Sequence, residues 1–209
     1  MPMSPPRFWP WRLIYDWLAR TDPLGEADLI FVLAGRQGRK VYALRVFREG
    51  KAPRIILSTA RFEIRRFASL SLPAPLDLLR MASVVPPPQR HFFVYFERSS
   101  CQVDLIPVAR LGTLSELEQL ATWLRARPNI RSVLVVSSGA HLRRVRMCCR
   151  ALLPTELGVR LISAPEEAQQ PGQEYGKGWA ANAEVFVELF KLLVYRIVLV
   201  LRAGGTSQK

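Results

Sequence analysis

Apolar residues fall along the chain in short continuous runs that alternate with helical patterns. Runs such as 28–35 and 131–137 are apolar at nearly every position, which is typical of strands buried on both faces of a sheet. Between the runs, leucine and alanine recur every three to four residues, the spacing of one helix face. Strands that alternate with helices favour a mostly parallel sheet covered on both sides. We therefore expect an α/β fold, a Rossmann-like three-layer α/β/α sandwich.

The same patterns give the predicted elements. Strands are expected at 28–35, 54–58, 91–96, 103–108, 131–137 and 159–164. Helices are expected at 11–18, 38–49, 62–70, 76–84, 114–125, 140–152 and 180–202. The third and fourth strands are close enough in sequence to form a hairpin around residues 98–100. In the helix at 38–49, an apolar side is formed by Val41, Ala43, Leu44 and Phe47.

The length of 209 residues fits one α/β domain. We expect a single domain, 1–209, with its core at 27–164, an aromatic N-terminal segment at 1–20 and a C-terminal helix at 180–202. Three cysteines without CxxC spacing and only two histidines argue against a metal site. The N-terminus has no apolar stretch of the kind that signal peptides carry, so a cytoplasmic location without a signal peptide is expected.

The charge is the first indication of a partner. The formal net charge is +13, and 25 of the 30 basic residues are arginine. Arginine can grip phosphate or carboxylate through two parallel hydrogen bonds, which lysine cannot. A phosphorylated ligand, a polyanion or an anionic membrane surface would fit, although solvated arginines on an ordinary surface remain an alternative. No nucleic-acid recognition motif accompanies the charge, so no specific nucleic-acid partner is expected.

Candidate ligand-binding residues follow the predicted strands. Parallel α/β sheets bind ligands beyond the carboxyl ends of their strands, and small, hydroxyl and basic residues stand there. The candidates for binding are Gly35, Arg39, Ser58, Thr113, Ser137, Ser138 and Arg144. The glycines at 35 and 38 do not complete a dinucleotide fingerprint, and no Walker lysine is present.

The segment from Ser137 to His141 is the most specific of these. Hydroxyls and a glycine at a helix start can form an anion site from free amide groups and the helix dipole. His141 and Arg144 are three residues apart and share one helix face. His141 and Glu116 are the candidates for proton transfer, and histidine is the side chain that titrates near neutral pH. A structural histidine is the alternative for His141, and His91 is expected to be structural.

Thr113 and Glu116 also fit a purely structural motif. A threonine followed three residues later by a glutamate is a capping box, in which the two side chains satisfy backbone donors at a helix start. This interpretation would explain both residues without a ligand, but it does not exclude a ligand role for Glu116.

The two ends of the chain favour a surface role. The C-terminal helix is apolar nearly all round, but Glu184, Glu188, Lys191 and Arg196 interrupt it, and spanning helices avoid such charges. We expect this helix to pack mainly on the domain and to leave part of its apolar surface for a membrane or another subunit. Contact with the inner face of an anionic membrane and oligomer formation both stay open.

These motifs resemble the YdcF/SanA/ElyC-like family of bacterial α/β proteins, whose function is largely unsettled. The similarity covers roughly residues 27–162. It is carried by the strand that ends at Gly35, by the run 52–58, by the Thr113-x-x-Glu116 pair, by the segment 135–144 and by the terminal Glu188-x-x-Lys191-x-x-x-Tyr195. The chain departs from the family where it has Ala34-Gly35 and Ser58-Thr59-Ala60 instead of runs rich in glycine.

The resemblance implies a polar pocket at the strand ends and a link to envelope or lipid-carrier metabolism. It also implies S-adenosylmethionine as a candidate cofactor. Three hypotheses follow. The leading one is a pocket for a phosphorylated or otherwise anionic small molecule, with or without turnover. The second is a non-catalytic binder of S-adenosylmethionine or a nucleotide, using Gly35, Ser58 and Glu116. The third is a peripheral membrane or scaffold protein.

Overall fold

The computed structural model describes residues 10–98, 100–108, 111–165 and 179–206. Its centre is a six-stranded sheet in the order β4-β3-β2-β1-β5-β6. The strands are β1 Leu29–Val32, β2 Arg54–Ala60, β3 His91–Glu97, β4 Ser100–Leu105, β5 Ser132–Ser137 and β6 Gly158–Ser163. The β2–β3 and β3–β4 pairs are antiparallel and the other three are parallel. Only β3 therefore runs against the rest, and the predicted mostly parallel sheet is confirmed.

Helices flank the sheet on both faces. They are α1 Pro10–Leu18, α2 Gln37–Arg48, α3 Ile64–Phe67, α4 Leu78–Ser83, α5 Gly112–Arg125, α6 Leu142–Leu152 and α7 Trp179–Thr206, with 3-10 turns at Pro87–Gln89 and Gly139–His141. Strand side chains point alternately to the two faces. Leu29 and Phe31 join one core with α5, α6 and α7, whereas Ile30 and Val32 join the other with α2, α3 and α4. The fold is a three-layer α/β/α sandwich.

The hairpin expected between β3 and β4 is confirmed. It turns at Arg98, which has the left-handed φ of 53°, and β4 pairs with β3 from Ser100 to Leu105. The strand predicted at 103–108 is therefore shifted by three residues. Its polar first half lies on an edge strand that is partly solvent-exposed, where burial does not select apolar residues. Because β3 is reversed, its first residue, His91, pairs with Ala60 at the carboxyl end of β2.

Two helix predictions need correction. The helix expected at 62–70 is only the single turn of α3, and residues at 78–83 form a shorter α4 than predicted. In α2, Val41 is 50% exposed, while Arg39 and Lys40 are buried beside Ala43 and Leu44. The buried face of α2 thus carries two cations over the sheet edge, and apolar spacing alone could not place them there.

Among the described residues, no helix is both long and apolar enough to cross a membrane. Phe8 and Trp9, which belong to the predicted aromatic N-terminal segment, lie outside the described residues.

Candidate functional site

The predicted binding residues converge at one edge of the sheet. Ser58 lies two residues before the end of β2, and Ser137 is the last residue of β5. Gly35 follows β1, and Arg39 lies in the first turn of α2. Both serines are buried, as are Arg39, Glu116 and Arg144. A parallel sheet brings strand ends together in this way, and the reversed β3 adds His91 to the same edge.

Gly35 forms the turn between β1 and α2. Its φ is +137°, and a Cβ built on it would lie 2.9 Å from an Arg39 guanidinium nitrogen. Its amide donates to Glu63 Oε1 at 2.7 Å. The glycine therefore permits both the backbone conformation and the close approach of Arg39.

Arg39 is a buried cation held mostly by neutral groups. Its Nε donates to Ser138 Oγ at 2.8 Å, its Nη1 donates to the Ala34 carbonyl at 2.9 Å, and its Nη2 also donates to Ser138 Oγ. Burial lowers the pKa of Arg39 to about 10, so the guanidinium still carries its charge at neutral pH. None of the described carboxylates forms an ion pair with it.

Lys40 was not predicted as a site residue. It is 2% exposed, and its Nζ forms an ion pair with Glu63, the residue that also receives the Gly35 amide. Burial lowers the pKa of Lys40, while the Glu63 carboxylate opposes that shift. A lysine in an amphipathic helix looks like a solvated residue in sequence, so only the buried partner reveals it.

Glu116 reaches across from α5 to the turn after β1. Its Oε2 accepts a hydrogen bond of 2.9 Å from the Ala34 amide. Burial raises the pKa of Glu116 to about 7, although the Ala34 amide and the Ser58 hydroxyl favour the charged form. A carboxyl poised near neutral pH suits a general acid or base.

The capping-box interpretation of Thr113 and Glu116 is wrong. Helix α5 begins at Gly112, its N-cap residue is Leu111, and no side chain caps it. Thr113 therefore lies inside the first turn, where its hydroxyl accepts a hydrogen bond from Arg144. Instead of capping α5, the side chains of Thr113 and Glu116 contact Arg144 and the Ala34 amide at the strand edge.

Ser58 and His91 form a buried pair. The Ser58 hydroxyl lies 2.7 Å from His91 Nε2. Burial, together with the charge of Lys40, lowers the pKa of His91 to about 4, so the imidazole is neutral at physiological pH. His91 therefore supports Ser58 as a hydrogen-bond partner, in keeping with the structural role expected for it.

Ser137 and Ser138 occupy the turn after β5. The Ser137 hydroxyl is buried and has no hydrogen-bond partner among the described residues. Ser138 precedes the 3-10 turn Gly139–His141, and α6 begins only at Leu142. The predicted helix N-terminus is therefore preceded by a 3-10 turn, and the hydroxyl of Ser138 is used by Arg39.

A second group of charges surrounds Glu188 of α7. This carboxylate is 1% exposed, and its Oε2 accepts from Arg144 Nε at 3.1 Å while its Oε1 accepts from Lys191 Nζ at 2.9 Å. His141 Nδ1 lies 3.0 Å from Oε2, but not in the alignment of a regular hydrogen bond. Burial alone would raise the pKa of Glu188, but His141, Arg144 and Lys191 hold it at about 2.

Arg144 has protein partners that the sequence did not predict. It binds Glu188 and Thr113, and its guanidinium lies 5.0 Å from the centre of the Tyr195 ring. The ligand contact expected for it stays a prediction. His141 and Arg144 do share one face of the helix, as predicted, and that face meets α7. The signal for Glu188 was its charge in an apolar helix, which predicts a buried partner.

The two groups are electrostatically connected. Burial lowers the pKa of His141 most strongly, and the Glu188 contact opposes that shift. The positive charge of Arg39 lowers the pKa of His141 further. In these two groups Glu63 pairs with Lys40, and Glu188 pairs with Arg144 and Lys191, so the described ion pairs join two carboxylates to three cations. Glu116 titrates near pH 7. The edge therefore carries a net positive charge, and the unpaired part of that charge is the guanidinium of Arg39.

A small cleft opens beside Gly35 and Lys40. Its other lining residues are Gln37, Glu63, Arg66, Phe67 and Leu70. Of the predicted site residues it includes Gly35 alone, so the other predicted site residues lie outside this cleft. Among the described residues, no group of three or more histidine, cysteine, aspartate or glutamate side chains is arranged to hold a metal ion.

No family model, curated protein or solved structure matches the chain.

Proposed function

We propose that the protein binds a phosphorylated or otherwise anionic small molecule at the carboxyl edge of its parallel strands. The observation that carries this proposal is Arg39, a 5% exposed guanidinium without a carboxylate partner in the described part of the chain. A guanidinium has five N–H donors. Three are used, two by Ser138 and one by the Ala34 carbonyl.

The two remaining donors of Arg39 favour an anionic ligand. A buried donor without an acceptor costs about 1–3 kcal/mol, and more when the group is charged. A phosphate oxygen would remove that cost and neutralise the cation, and arginine recognises phosphate through two parallel hydrogen bonds. The Ser137 hydroxyl is also buried without a partner among the described residues and would donate to the same anion.

The other residues would shape and polarise this site. Lys40 adds positive charge on the next residue of α2, and Arg144, fixed by Glu188, adds it from α6. Glu116 and His141 are the groups that would exchange a proton with a bound ligand. Glu116 is the stronger candidate, because its carboxyl titrates near pH 7 while burial lowers the pKa of His141.

The biological context of the proposal rests on the resemblance alone. A YdcF-like protein in the cytoplasm, linked to envelope or lipid-carrier metabolism, would use such a site for a phosphorylated carrier or its precursor. S-adenosylmethionine is the competing ligand. Ser58 and Glu116, which it would require, already have protein partners in His91 and the Ala34 amide.

A melting-temperature screen tests the proposal. Pyrophosphate, nucleotides, phosphorylated sugars and S-adenosylmethionine should be compared, and a ligand present at ~100 times its Kd should stabilise the fold by ~2.7 kcal/mol. We expect a phosphorylated compound to stabilise the wild type. Arg39→Lys should weaken that response at least about tenfold in affinity, because lysine retains the charge but loses the planar grip.

The matched control is Arg45→Lys. Arg45 lies on the same helix but its side chain is 62% exposed, so its replacement should leave the response unchanged. An equal loss in both variants would indicate non-specific attraction to a basic protein. A response to S-adenosylmethionine alone would replace the phosphate proposal with the second hypothesis.

A further inference from the structure

The carboxylate of Glu63 is held at the strand edge by three donors. Its Oε1 accepts hydrogen bonds from the Gly35 amide at 2.7 Å and from the Ala60 amide at 3.3 Å, and its Oε2 forms an ion pair with the ammonium group of Lys40. Backbone amides and a basic side chain are also the groups with which proteins bind phosphate. Glu63 is therefore held as an anionic ligand would be held.

The ammonium group of Lys40 has donors that Glu63 does not use. An ammonium carries three N–H donors, and Glu63 is the one acceptor for it among the described residues. The Lys40 side chain is 2% exposed, and a buried donor without an acceptor destabilises a protein. A phosphoryl group presents three strong acceptor oxygens, so it would satisfy Lys40 more completely than one carboxylate oxygen does.

Glu63 is the more accessible member of the ion pair. Its side chain is 14% exposed against 2% for Lys40. It lies in the turn between β2 and the single turn of α3, where its neighbours Arg61 and Phe62 are exposed. The small cleft beside Gly35 and Lys40 is lined by both members of the pair. An anion that enters this cleft would meet Lys40 by replacing Glu63, and α2 would keep its place.

Gly35 joins the surroundings of Lys40 to those of Arg39. The Gly35 amide donates to Glu63, and a Cβ built on Gly35 would lie 2.9 Å from Arg39 Nη1 and 3.5 Å from Nη2. Burial lowers the pKa of Arg39, and the charges of Glu116 and Glu63 oppose that shift, as expected of carboxyl groups near the guanidinium. The Arg39 guanidinium and the Glu63 carboxylate therefore mark two neighbouring places for an anion.

We propose that Lys40 and the amides of Gly35 and Ala60 form a second phosphoryl subsite, which Glu63 fills until a diphosphate group displaces it. A diphosphate has two phosphoryl groups that share one bridging oxygen, so it would place one on Arg39 and the other in this Lys40 subsite. The inference rests on the function proposed above and narrows its ligand to molecules that carry a diphosphate. Glu63 is then an internal competitor of the ligand.

Calorimetric titration of the full chain with pyrophosphate, at constant ionic strength, tests the Lys40 subsite. We expect Glu63→Gln to bind pyrophosphate at least about tenfold more tightly than the wild type, because no carboxylate competes and the buried Lys40 lacks a counter-charge. Adding Lys40→Met to Glu63→Gln should abolish this gain. Glu63→Asp retains the charge but is one methylene too short for all three contacts, so it should also tighten binding and serves if Glu63→Gln does not fold.

Glu49→Gln is the control for charge. It removes one carboxylate just after the end of α2, where the side chain is 50% exposed, and it should leave the affinity for pyrophosphate unchanged. An equal gain in Glu49→Gln would show a general attraction to a more basic protein and would overturn the Lys40 subsite. A gain that persists after Lys40→Met is added to Glu63→Gln would overturn it as well.

Arg39→Lys separates this inference from the function on which it rests. Suppose that Arg39→Lys weakens binding, whereas neither Glu63→Gln nor Glu63→Asp tightens it. The Arg39 site would then stand, and the contact between Lys40 and Glu63 would be a structural ion pair, which overturns the Lys40 subsite. Tighter binding in Glu63→Gln with no effect of Arg39→Lys would instead keep the Lys40 subsite and overturn the function proposed for Arg39. Pyrophosphate binding by none of these proteins would overturn both.

Discussion

At the scale of single residues, the strand edge is defined by charged groups that burial has changed. Arg39 is buried and keeps its positive charge, and the charge of the buried Lys40 is paired with Glu63. At neutral pH the Glu116 carboxyl is partly protonated and partly ionised. Isolated buried charges are costly, and pKa values perturbed by desolvation are concentrated at functional sites. Structural ion-pair networks also perturb pKa values. The quantity to measure is therefore the ionisation of Glu116 alone, separated from that of the other titratable groups.

The ionisation of Glu116 should be visible in stability. Its pKa is about 7 in the fold against 4.5 for the free group, so the folded state binds the proton more tightly. The resulting stabilisation is fully present below about pH 4.5 and is lost as the pH rises through 7. We expect the free energy of unfolding of the wild type, relative to Glu116→Gln, to fall by about 3 kcal/mol between pH 4.5 and pH 8.

Urea unfolding of both proteins across this range is the measurement. The comparison with the variant is needed because burial lowers the pKa of His91 and of His141, and this makes stability rise with pH over much of the same range. Glu49→Gln, at a side chain 50% exposed, is the control and should follow the wild type. Parallel curves for the wild type and Glu116→Gln would show that Glu116 does not titrate near neutral pH.

At the scale of elements, a buried carboxylate of α7 joins this helix to the sandwich in addition to its apolar contacts with the core. Glu188 pairs with Arg144 of α6 and contacts His141. A second ion pair, Arg202 with Glu118 of α5, is largely solvated. Removal of one partner from a buried ion pair costs much more stability than removal from an exposed pair. In the buried pair the remaining charge is left without water, whereas in the exposed pair it is hydrated.

Glu188→Gln should therefore destabilise the protein by about 3–5 kcal/mol, since it leaves the buried Arg144 without its counter-charge. Glu118→Gln should cost about 1 kcal/mol or less. Chemical denaturation at neutral pH distinguishes the two variants. Similar costs for both would mean that Glu188 does not hold α7 through Arg144.

The elements themselves were largely predictable. The central strands are continuous apolar runs, and a strand buried on both faces leaves that pattern in the sequence. The edge strand β4 was displaced because Ser100 and Gln102 near its start are polar and its pairing is set by the hairpin. Helix α3 was predicted too long, since no proline or glycine directly follows its end at Phe67.

The site was predictable where it follows strands. Gly35, Arg39, Ser58 and Ser138 were found because parallel strands end at one edge. Lys40 and Glu188 were missed as site residues because they lie on helices, where burial depends on the layer packed against them. The partner of Arg144 was not predicted for the same reason, since Glu188 is 44 residues away in sequence.

At the scale of the whole molecule, basic charge and apolar surface are separated. The cations Arg39, Lys40 and Arg144 gather at the carboxyl edge of the sheet, whereas exposed apolar side chains such as Phe190 and Leu193 lie on α7.

The central claim is that Arg39 binds an anion directly, and the most direct measurement observes its side chain. The Nε–H signal of Arg39 in a protein labelled with ¹⁵N-arginine can be assigned by its loss in Arg39→Lys and then followed during a titration with pyrophosphate. We predict that the chemical shift of this signal changes and reaches a plateau as pyrophosphate is added, because two N–H donors of this buried guanidinium have no acceptor among the described residues. A signal that stays still while exposed arginines shift without saturation would contradict the claim and leave Arg39 a structural residue.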